Sequence, residues 1–170
     1  MKRLFLISFT LILMISAYAQ SASGRYFSRK TQDGDLFFLL PQRLKDIDGI
    51  KRFEYDVTMP NWTDSVTINF TYESDSMVVP EDLAIICGET PIICSSYAPM
   101  FVDIKKNHYE IRVTSKFSLE DFKTMISSEK SPHFIFKQNG QLKQASYPDK
   151  AWIKEKKKLK DIINVYLYTK

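Results

Sequence analysis

Histidine, cysteine and glycine are scarce in this 170-residue chain, with two, two and five of them. His108 and His133 are far apart and neither belongs to a local ligand pair, so a zinc site would require the fold to gather both with the two cysteines; no metal site is expected. Five glycines leave no Gly-rich run to cradle a phosphate or shape an oxyanion hole, and no Gly-x-Ser-x-Gly elbow is present. No motif implies a cofactor. Past the N-terminus, no apolar run approaches the roughly 20 residues that a spanning helix needs. No internal repeat, low-complexity tract or linker divides the chain.

What is present begins with an address. Lys2 and Arg3 precede an apolar stretch from Leu4 to about Ile15, followed by the small-residue pattern Ala17-Tyr18-Ala19. This is the layout of a cleaved secretory signal over residues 1–19, too short for a retained membrane helix. The expected product begins at Gln20, is exported to the periplasm or the exterior, and keeps no transmembrane segment. Loss of the leader reduces the formal net charge from +4 to +2, divided between a basic end, residues 150–170 at +5, and an acidic body, residues 20–149 at −3. Export separates such a chain from most nucleic acid, so no nucleic-acid partner is expected.

Residues 20–34 are polar and aperiodic and are expected to form a loosely held N-terminal segment. A single domain is expected over 35–170. It opens with a short apolar run over residues 35–42 that Pro41 is expected to end, and a turn-like Asp46-Ile47-Asp48-Gly49 cluster. Phe53, Tyr55, Val57 and Met59 then alternate with polar residues, as do Val66, Ile68, Phe70 and Tyr72 beyond the turn of residues 60–64. Period two across a short connection predicts an antiparallel hairpin with one wet face. Residues 100–106 and 108–115 predict two more strands joined at Lys106-Asn107. Asn139-Gly140 marks a further hairpin, because a type I′ turn requires positive φ at both central positions.

Two helices are expected. Ser118 followed three residues later by Asp121 is an N-cap pattern, and Leu119, Phe122, Met125 and Ile126 recur at helical spacing. A second, amphipathic helix runs from about Asp149 to Tyr168 with Trp152, Leu159, Ile163 and Tyr166 as its inward stripe. The fold class is therefore α+β, a mainly antiparallel sheet of six or more strands packed by a short helix and a C-terminal helix.

Cys87 and Cys94 each close an identical Ile-Ile-Cys. In an exported chain this predicts a structural disulfide across a hairpin tipped by Thr90-Pro91, worth about 2.5 kcal/mol in chain entropy. Redox chemistry is disfavoured because the spacing is not Cys-x-x-Cys. Paired carboxylates such as Asp33/Asp35, Asp46/Asp48 and Glu120/Asp121 fall in turns or a helix start, and do not face one another across a cleft as glycosidase chemistry requires. Lys154, Lys157 and Lys158 belong to an exposed helix face.

Trp62 is the one large aromatic whose burial periodicity does not explain, and a turn tryptophan can stack on a sugar or anchor a protein. The missing catalytic constellation points to a non-catalytic binding or interaction protein of the envelope or exterior. Its unknown partner would be a protein or glycan, met around residues 60–64 and 87–96. Two alternatives are a small secreted hydrolase assembled around His108 or His133, and a structural or assembly subunit, which would show an unpaired strand edge or a large apolar patch.

Overall fold

The computed structural model describes residues 24–48 and 50–170. The leader of residues 1–19 lies outside them. In chain order the elements are β1 (Tyr26–Lys30), β2 (Asp35–Arg43), β3 (Asp46–Asp48), β4 (Arg52–Pro60), β5 (Ser65–Ser74), β6 (Glu81–Cys87) and β7 (Thr90–Ile93). There follow β8 (Ser96–Lys105), β9 (His108–Ser118), α1 (Leu119–Ser127), β10 (His133–Gln138), β11 (Gln141–Ser146) and α2 (Asp149–Thr169). The fold is α+β and its strand pairings are antiparallel. No described helix is long and apolar enough to cross a membrane.

The strands form two sheets rather than one: six in the order β1-β2-β4-β5-β9-β8 and five in the order β3-β11-β10-β6-β7. Alternation along β4 and β5 sends Phe53, Tyr55, Phe70 and Tyr72 to the same face, as their pairing register requires. There they meet Phe134 and Phe136 of the smaller sheet. Phe53 lies 5.8 Å from Phe134 and 6.0 Å from Phe136, ring centre to ring centre. The helices share that inner face, with Tyr166 of α2 edge-on to Phe37 of β2 at 5.5 Å and bonded through its hydroxyl to the Pro60 carbonyl. One face of the large sheet therefore carries a second layer made partly of sheet and partly of helix.

The opposite face is wet, and a charge-assisted network braces it. Arg112 donates to Asp56 and to Thr71, each at 2.6 Å, and Asn69 donates to Asp56 at 2.7 Å.

Three local outcomes differ from expectation. Tyr26–Lys30, inside the segment expected to be loosely held, adds to the sheet as an edge strand beside β2. Asp46–Asp48, expected as a turn, is instead a short strand whose backbone completes the ladder of β11. Pro41, expected to end the first apolar run, lies within β2 at a register shift between Leu39 and Gln42, where the missing N–H interrupts little. The first helix begins as expected, with the Ser118 hydroxyl accepting from the Asp121 N–H at 3.0 Å.

Candidate interaction surface

β8 is the terminal strand of the large sheet, bonded to β9 on one side and to no described strand on the other. Nine of its ten residues are exposed. Its start is tethered: the Ser95 N–H donates to the Lys116 carbonyl at 2.8 Å, and the Tyr97 hydroxyl donates to the Pro80 carbonyl. The ladder slips at Pro99–Phe101 and then runs regularly to Lys105, which faces His108 across the two-residue turn.

That turn sets the direction of the backbone groups. Residues flanking a two-residue hairpin turn exchange their hydrogen bonds with each other, so Lys105 is satisfied by β9 and the alternate residues Ile104 and Val102 turn their N–H and C=O outward. Val102 stands opposite Ile111 and Ile104 opposite Tyr109, which places both side chains on the core-side face of the sheet. The smaller sheet does not extend over them, and Ile104 is 72% exposed. Phe101 and Met100 are exposed as well. On the other face the Lys105 ammonium, bonded to Asp103 at 2.7 Å, holds that carboxyl below its usual range.

The other strand edges are less open to pairing. β1 ends in Arg29-Lys30, β3 has three residues, and β7 has four including Pro91. Charge, brevity and proline are the usual means of blunting an edge. β8 carries its proline and its bulge mid-strand, at Pro99–Phe101, which leaves its second half, Phe101–Lys105, open, with the charges of Asp103 and Lys105 paired to each other.

The residues singled out from sequence are dispersed. Trp62 is 42% exposed and leans on Gly34, where an added Cβ would come within 3.1 Å of its ring and collide with the Asn61 side-chain oxygen. Asn61 secures the turn by accepting from the Asp35 N–H at 2.9 Å and donating to the Thr169 carbonyl at 3.0 Å. Trp62 is thus a partly covered residue on a well-held turn.

Cys87 and Cys94 are both free thiols, and the expected bridge between them is not formed. The hairpin turns at Gly88-Glu89 rather than Thr90-Pro91, because Gly88 adopts the left-handed φ of 66° that a tight turn requires. Cys87 then faces Thr90, and Ile85 faces Ile92. Cys94 falls beside Leu83, its thiol donating to the Leu83 carbonyl at 3.5 Å. Four residues of offset separate the cysteines by roughly 13 Å along the strand direction, beyond the reach of a disulfide. Burial pushes the Cys87 thiol up to about 11 and raises that of Cys94, so both are protonated at neutral pH.

His108 Nε2 lies 3.5 Å from a Glu73 carboxylate oxygen, and its Nδ1 lies 3.4 Å from the Asn107 side chain. His133 faces Ser146 across the β10–β11 ladder. Among the described residues no hydrogen bond joins either imidazole to a serine hydroxyl, and no group of three or more His, Cys, Asp or Glu side chains converges as metal ligands would. No known family model, curated protein or solved structure matches the chain.

Proposed function

We propose that this chain is an exported, non-catalytic interaction protein of the cell envelope or exterior, and that it binds an extended segment of a partner protein as an added strand along Phe101–Lys105. The observation that carries this reading is the outward-facing backbone of Val102 and Ile104, with the exposed apolar side chains of the same residues beside it. Strand addition draws affinity from main-chain hydrogen bonds and specificity from alternate side chains, and β8 offers both. The leader supports export.

A second copy of the chain fits this edge less well than a foreign strand. A two-fold axis at Asp103 would pair Phe101–Lys105 of both copies in full, but it sets the Asp103 carboxylates of the two copies directly opposite each other, and like charges so placed are destabilising. A foreign segment without an acid at that register pairs along all five residues without this repulsion.

Peptides selected by display against the purified protein supply the probe. Val102→Pro removes an outward N–H without touching the β9 ladder, a position where an edge strand tolerates proline. The expected result is selection of peptides with alternating apolar residues whose binding to Val102→Pro and Ile104→Lys is weaker by about tenfold or more. The Trp62→Ala variant should bind them as the parent does. Recovery of no such peptide, equal binding by the β8 variants, or loss in Trp62→Ala would overturn the assignment. So would a concentration-dependent mass in sedimentation that Val102→Pro abolishes, which would assign the edge to self-assembly.

A further inference from the structure

A cleft of about 510 Å³ opens where Gly24-Arg25, the end of β2 and the first turns of α2 meet. It is built around Arg25. Gln42 and Glu155, only 4% and 7% exposed, both accept from Arg25 Nη1, the Glu155 contact being 3.2 Å. Gln42 is itself fixed by donating to the Leu40 carbonyl. Glu155 occupies the buried stripe of α2, one turn from both Trp152 and Leu159. Two buried acceptors thus orient the guanidinium through one nitrogen. Its Nε and Nη2 have no partner among the described residues.

Four further cations line the same opening. Arg43 and Lys45 come from the end of β2 and its exit, and Lys154 and Lys158 from α2. Glu155 is the only carboxylate among the lining residues, and it is shared between Arg25 and Lys158, the latter at 3.6 Å. Lysines along a helix are ordinarily a solvated face. What differs here is convergence, with cations from three separate stretches of chain meeting in a concave site around an arginine held in place. Low-dielectric walls focus such a field.

We propose that this cleft binds a small organic oligoanion, a carbon skeleton bearing at least two phosphate, sulfate or carboxylate groups. The planar guanidinium accepts one oxyanion through paired N–H donors, and the rim lysines meet a second. The volume is that of a site for a small molecule rather than a single ion. Leu40, Pro41 and Ala151 supply the apolar wall that a carbon skeleton would contact.

Titration calorimetry with three probes tests this: fructose 1,6-bisphosphate, a trisulfated heparin disaccharide and inorganic phosphate. The first two separate a phosphorylated source from a sulfated, uronate-bearing one. At least one should bind in a 1:1 ratio, about tenfold or more tighter than inorganic phosphate. Arg43→Ala and Lys154→Ala should each weaken that binding about tenfold. Lys157→Ala and Lys160→Ala, on the neighbouring flank of α2 beside Glu129 and Asp161, should change it less than about twofold. Binding of neither organic probe overturns the assignment, and so does equal weakening by all four substitutions, which is the behaviour of diffuse surface charge.

Discussion

Tyr147 donates its hydroxyl to that of Tyr55 at 3.0 Å in the core, and Tyr72 accepts from Gln138 at 3.4 Å. Burial is the main cause that raises all three phenols well above their ordinary value near 10. The sign of the consequence follows from linkage. Between pH 10 and the higher native values the unfolded chain releases phenolic protons that the folded chain retains, so stability is intact below pH 10 and declines above it. Each such group contributes about 1.4 kcal/mol per pH unit. Alkaline titration followed by phenolate absorbance and circular dichroism together should show the buried phenols ionising in one step with loss of the β signal. Ionisation of every phenol, Tyr55, Tyr72 and Tyr147 included, with the β signal intact would contradict this placement. Glu155 is a different lesson at the same scale. Its spacing from Trp152 and Leu159 sets it on the apolar stripe, a signal visible in the sequence but masked by the lysines around it.

Among the elements, turns set by their own residues were legible and pairings set by distant partners were not. Asn139 and Gly140 adopt φ of 53° and 71°, as an Asn-Gly hairpin requires. A Cβ at Gly140 meets nothing within 4 Å, so Gly140→Ala carries a backbone cost alone. Chemical denaturation should register a loss of about 1–2 kcal/mol. An unchanged midpoint would show that the turn has another conformation open to it. β3 gave no such signal, because a three-residue Asp-Ile-Asp segment is a strand only through its bonds to β11, nearly a hundred residues away. The β6–β7 hairpin lies between these cases. The repeated Ile-Ile-Cys is compatible with more than one alignment, and the conformational freedom of Gly88 selects the one in which Ile85 meets Ile92. Of the two sites, β8 was legible only as a strand over residues 100–106. Its standing at the edge, and the gathering of Arg25, Arg43 and Lys154 into one cleft, depend on long-range topology.

At the scale of the molecule, class and composition of layers separate cleanly. Alternating strands and two amphipathic helices define an α+β fold from sequence, whereas the division of the eleven described strands into sheets of six and five depends on which apolar faces meet. Phe53 shows the outcome: its ring lies near Phe70 and Tyr72 of its own sheet and near Phe134 and Phe136 of the other. Cohesion between the layers is therefore mainly aromatic and aliphatic, joined by hydrogen bonds such as Tyr147 to Tyr55 and Gln138 to Tyr72, with no covalent link among the described residues. The staggered hairpin thus makes the architecture indifferent to electron supply. Melting curves recorded with and without dithiothreitol should superimpose, and a drop of several degrees under the reductant would mean that the two sulfur atoms had found each other through another alignment.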